Sequence, residues 1–98
     1  MAYDVEIDEA LVLAYLSDLD RGLTQADIGT LLGFLEGLAS TGEVYRQDQS
    51  RRCAPGSPNF EVTYLFQDSA GRLRHFRFII SDAAAVYGVL RVRFTEEL

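Results

Sequence analysis

Lysine is missing from this chain, and cysteine, histidine and methionine occur once each. The lone Cys53 excludes an internal disulfide, which fits the cytoplasm better than an oxidising compartment. One histidine and one cysteine fall short of the ligand set of a zinc site. The glycines lie in a helical stretch and in turns, not in a strand-loop-helix phosphate cradle. No metal or other cofactor is therefore expected. Long apolar runs are absent too. The longest, "LVLAYL", is far below the roughly 20 residues that cross a bilayer. The opening "MAYDVEIDEA" is acidic and alternating, unlike a cationic signal peptide. A soluble cytoplasmic protein with no membrane contact is the expectation.

What is present is enough for one domain over residues 1–98. Hydrophobic residues make up 48% and charged residues 24%, as in an ordinary globular protein. The net charge of −6 is unevenly placed: residues 1–42 carry −7 and residues 43–98 carry +1. All nine basic residues are arginine. A coding preference explains that as well as function does, although guanidinium forks suit phosphate and carboxylate clamps. A core this small also makes a homodimer or a bound partner unsurprising.

"YDVEI" alternates like a half-buried strand. Asp8 can cap the helix "EALVLAYLSDLD", which stops near Gly22. Thr24 and Asp27 stand as N-cap and N3 of a second helix, close to a capping box, with Leu23 and Ile28 at the staple positions. Gly29, Gly33 and Gly37 in that helix each cost roughly 1 kcal/mol against alanine. Close approach of the first helix, at Ala10 and Ala14, is the expected compensation. "GEVYRQDQSRR" holds a possible short strand, and "CAPGSPN" is a loop. Three strands follow: "FEVTYLFQ", "RLRHFRFII" and "YGVLRVRF". The fold class is α+β: an N-terminal strand, an antiparallel two-helix hairpin, then a largely antiparallel sheet of three to four strands with both helices on one face.

A five-residue loop from Gln67 to Gly71, with Gly71 at positive φ, sets the faces of the first late hairpin. Phe66 then opposes Arg72 and Val62 opposes Phe76. Phe60, Val62, Tyr64, Phe66, Phe76, Phe78 and Ile80 share the core face. Leu90, Val92 and Phe94 point inward on the last strand. His75, Arg77, Arg91 and Arg93 share the open face, with Tyr87 starting the last strand's outward row. Arg72 and Arg74 reach solvent at the hairpin tip, and Arg46, Arg51 and Arg52 approach from the preceding loop.

Such a face has two readings. An open sheet face needs polar residues, and arginine beside Glu61 satisfies that need without chemistry. Arginines with a histidine or tyrosine are also what phosphodiester cleavage of RNA uses, neutralising the phosphate and moving a proton at the 2′-hydroxyl or the leaving oxygen. His75 alone has an unperturbed pKa suited to that role near neutrality.

In its order of elements, "YDVEI", a helical hairpin ending "LEGLAST", then "FEVTYLF", "RLRHFRFII" and "YGVLRVRF", the chain resembles the RelE/ParE superfamily of bacterial toxins. The resemblance implies a small cytoplasmic toxin held by a cognate antitoxin protein. It implies either ribosome-dependent cleavage of mRNA on the open face or gyrase inhibition by other determinants. Carried over by position, Arg77 and Arg91 are phosphate clamps and His75 or Tyr87 the proton-transfer groups. Arg46, Arg51, Arg52 and Arg93 are the RNA-contacting arginines. The competing class is a non-catalytic interaction domain, dimeric or partner-bound, including an inactive toxin homologue.

Overall fold

The structure, a computed structural model, describes residues 2–98. Four strands form one mixed sheet: β1 (Asp4–Ile7), β2 (Asn59–Gln67), β3 (Leu73–Ser81) and β4 (Val89–Glu97). Their spatial order is β1-β4-β3-β2, with β1 parallel to β4 and the other pairs antiparallel. A π-helical turn (Glu9–Leu13) running into α1 (Ala14–Leu16), then α2 (Gln25–Glu36) and α3 (Leu38–Gln47), form the second layer. The α+β class follows. No helix among the described residues is long and apolar enough to cross a membrane.

Local chemistry places the helices. The Asp8 carboxylate accepts the N–H groups of Ala10 and Leu11 and starts the first turn. A full capping box starts α2: Thr24 Oγ1 accepts the Asp27 N–H, and Asp27 Oδ2 accepts the Thr24 N–H at 3.0 Å. The first helical arm is shorter than its pattern predicts. It ends at Leu16, and a 3₁₀ turn (Leu19–Arg21) closed by Gly22 at φ 68° completes the segment. The second arm is longer than expected. It breaks at Gly37 and resumes as α3, so the short strand expected within residues 42–52 is helix followed by a 3₁₀ turn (Gln49–Arg51). Leu38 and Gly42, four residues apart, form the buried face of α3, and that spacing overrides the β propensity of Val44-Tyr45.

The glycines divide by use. A Cβ on Gly42 would overlap Leu90 Cδ1, so this glycine lets α3 settle onto β4. Gly29 and Gly33 face open space, and Ala10 and Ala14 are exposed, so the expected close approach between helices does not occur there. Val12, Leu16, Leu31, Leu35 and Leu38 pack instead on the sheet residues Phe60, Val62, Phe76, Phe78, Ile80, Leu90 and Val92, all inaccessible to solvent.

The hairpin register differs from the expectation by two residues: Phe66 opposes Arg74 and Val62 opposes Phe78. The cause is Asp68. Its Oδ1 accepts the N–H groups of Ala70 and Arg72, so the loop is Asp68–Arg72, and Gly71 supplies φ 82° within it. A two-residue shift preserves the faces, and the aromatic row stays inward. β4 carries the larger correction. Ile79 pairs with Phe94 but Ile80 with Val92, leaving Arg93 as an extra, bulged residue. Beyond it Phe94 turns outward, 43% exposed, and Thr95 takes the inward place.

Candidate functional site: the open sheet face

The face away from the helices is built in rows by cross-strand pairing. Leu65 and His75 are partners on β2 and β3, and the Leu98 N–H donates to the His75 carbonyl at 2.8 Å. Thr63, Arg77 and Glu96 form the next row, and Glu61, Ile79 and Phe94 the one after. At the far end β1 and β4 bring Glu6 beside Arg91. His75, Arg77, Arg91 and Arg93 therefore share one face.

They do not form one pocket. Arg77 lies beside Glu96, and Arg91 is five residues further along β4, on the order of 15 Å away at 3.3 Å per residue. Tyr87 sits in a 3₁₀ turn (Ala85–Tyr87) ahead of β4, 84% exposed, at the opposite end of the sheet from His75. A proton-transfer group at either position cannot serve a phosphate held at the other.

The electrostatics are equally specific. Arg77 Nε donates to Glu61 Oε2 at 2.5 Å, and its Nη1 donates to Glu96 Oε1 at 3.1 Å. Glu61 holds the Arg77 guanidinium above its ordinary pKa, more strongly than burial opposes it. Arg91 donates through Nε and Nη2 to Glu6 Oε2, at 3.1 and 2.9 Å. Of the three arginines on this face, Arg93 is the one that forms no ion pair among the described residues. With Arg91, Glu6, Ile7 and Asp8 it lines a cleft of about 280 Å³. Around the paired charges lie exposed Leu65, Leu73, Phe94 and Leu98.

The three arginines between α3 and β2 are paired away from this face. Arg46 Nε and Arg52 Nη2 both donate to Asp82 Oδ2, at 3.0 and 2.7 Å, and Arg52 also donates to the Arg46 carbonyl. Burial pushes the Asp82 carboxyl up, but Arg52 and Arg46 together hold it below the usual range. Tyr3 donates to Glu43 beside them, and that bond raises the phenol and lowers the carboxyl. This cluster ties α3 to the ends of β1 and β3. Arg51 pairs with Asp48 across one helical turn, its guanidinium 5.0 Å from the Tyr45 ring. None of the three contributes to the open face.

Arg74 is not at a solvent-exposed tip. It is buried on the helix side, bidentate to Glu97 at 2.6 and 2.8 Å, and it also bonds Asp68 Oδ2 and the Arg21 carbonyl. Sequence reasoning also missed Glu6 and Glu96 as the partners of Arg91 and Arg77. For Glu96 the match to Arg77 depends on the bulge, which only the pairing of β3 with β4 reveals. For Glu6 there was no signal, because only the parallel pairing of β1 with β4 brings it there. Compared with family models, curated proteins and solved structures, the chain matches none, so the geometry alone carries a functional reading.

Proposed function

We propose that this chain acts by binding a protein partner across its open sheet face, as a RelE/ParE-like toxin component that does not cleave RNA. The observation that carries this reading is the Glu61–Arg77–Glu96 row. A cation held between two carboxylates 2.5 and 3.1 Å away has its field cancelled before any phosphate arrives. The exposed leucines and Phe94 around it suit the apolar stripe of an amphipathic helix, such as a cognate antitoxin would supply.

The test is co-expression with the product of a neighbouring antitoxin-like gene. Phe94→Asp should abolish co-purification, and Val44→Asp on the exposed side of α3 should leave it intact. Induced expression of the chain alone should leave cellular messages uncut. Message cleavage that Arg77→Ala abolishes would defeat the proposal. The double variant Glu61→Gln/Glu96→Gln should gain salt-sensitive RNA binding that the native chain lacks.

A second reading, an mRNA endoribonuclease, is favoured by one observation. Arg93 projects from the bulge beside Arg91, and among the described residues no carboxylate forms an ion pair with it. Cleavage lost on Arg93→Ala would select that reading.

A further inference from the structure

We infer that this protein pairs with a second copy of itself through the outer edge of β2, joining two sheets into one across a two-fold axis at Leu65.

β2 has a neighbour, β3, on one side only. The direction of its backbone groups is fixed at both ends. On the outer side the Cys53 N–H donates to the Asn59 carbonyl at 3.1 Å, and on the inner side the Asp68 N–H donates to the Arg72 carbonyl at 2.8 Å. Backbone direction alternates along a strand, so the odd-numbered residues of β2 turn their N–H and C=O groups outward. The bridge between Arg52 and Phe60 occupies the start of that edge. Past it, the backbone groups of Thr63, Leu65 and Gln67 have no partner among the described residues.

Natural edges are kept apart by charges, prolines or bulges. The run Thr63–Gln67, "TYLFQ", has none of these, in a chain that is 24% charged. The other edge is treated differently. β1 spans only Asp4–Ile7, carries two acids, and is anchored by the Tyr3 N–H on the Ala39 carbonyl.

The occupant that this run specifies is its own copy. In an antiparallel pair centred on Leu65, Thr63 meets Gln67 of the second copy and Leu65 meets its equivalent. About six backbone hydrogen bonds form, two for each facing pair of outward residues. Leu65, 59% exposed in one copy, packs against itself. On the helix side Tyr64 meets Phe66 of the second copy, continuing the stack of Phe34, Tyr64 and Phe66. Although each copy carries −6, no charged side chain faces another across the contact. Glu61 and Asp68 flank the paired run, the first bonded to Arg77 and the second buried and bonded to Arg74.

Light scattering and amide hydrogen exchange on the intact protein test this independently of any partner on the open face. A dimer is expected, with the amides of Thr63, Leu65 and Gln67 protected as well as those of Val62, Tyr64 and Phe66. Leu65→Lys should give a folded monomer in which only the first three amides lose protection. Thr63→Lys is the second disrupting variant should the first not fold. Leu73→Lys and Phe94→Asp should remain dimeric. A monomeric native protein at about 100 µM, a dimer with those three amides unprotected, or a dimer that survives both lysine variants would each overturn the inference. So would protection conferred on a monomer by a bound foreign peptide.

Discussion

Asp27 shows how much one side chain settles. Its carboxylate accepts the Thr24 N–H at 3.0 Å and the Ser69 N–H and hydroxyl at 2.9 and 2.8 Å, so one residue both starts α2 and fastens it to the β2–β3 loop. The Thr24 bond, with help from Ser69, overcomes burial and lowers the carboxyl from 3.8 to about 2. A lowered native pKa gives stability that is complete above the ordinary carboxylate range and lost as pH falls toward the native value. Urea unfolding from pH 5 downward should therefore show an acid limb that Asp27→Asn flattens; an unchanged limb would place the acid sensitivity elsewhere. The glycines make a second test at this scale. Gly42→Ala should lose about 1–3 kcal/mol, because its methyl has to displace buried Leu90. Gly33→Ala, in open space on α2, should gain roughly 0.5–1 kcal/mol. The capping box was legible from "LTQAD" alone. The two glycines were not separable, because what they face is decided by packing between distant segments.

Among the elements, the β2–β3 hairpin was read correctly in its faces but not in its register or in the place of Arg74, and what was missed has a definite cause. Alternation of Phe60, Val62, Tyr64 and Phe66 with polar residues fixed which side is core, and a slip of two residues left that unchanged. The loop boundary was not legible, since it depends on the Asp68 carboxylate reaching two amides. The bulge at Arg93 was not legible either. Continuing the alternation through "LRVRF" gives the wrong side for Phe94, and only pairing with β3 reveals the extra residue. Gly71, at φ 82°, is the point at which the hairpin is most exposed to substitution. Gly71→Ala should cost about 1–2 kcal/mol, seen as a lower denaturant midpoint with an unchanged slope.

At the scale of the whole molecule, charge is organised into two internal clamps and one paired surface. Arg74 joins the β2–β3 loop through Asp68, the end of β4 through Glu97 and the turn before α2 through the Arg21 carbonyl. Removing it leaves Glu97 without its cation, and leaves the nearly inaccessible Asp68 with two backbone N–H donors and only the exposed Arg72, 3.5 Å away, for a charge partner. Arg74→Met should destabilise by about 3–5 kcal/mol, and thermal unfolding measures it. A loss under 1 kcal/mol would show that the clamp is dispensable. The candidate site divides along the same line. That arginines gather on one face was visible in the spacing of "RLRHFRFII" and "YGVLRVRF". That Glu61 can neutralise Arg77 was visible too; that Glu96 and Glu6 also pair with arginines was not, because Glu96 depends on the bulge and Glu6 arrives from 85 positions away.

That same separation governs how the protein is made. β1 is synthesised before the other three strands, yet its strand partner is β4, the last of the four in chain order. Tyr3, Val5 and Ile7 must wait for that partner while the β2–β3 hairpin can already form, so sheet closure is the late step and β1 the strand whose detachment disturbs the fewest strand contacts.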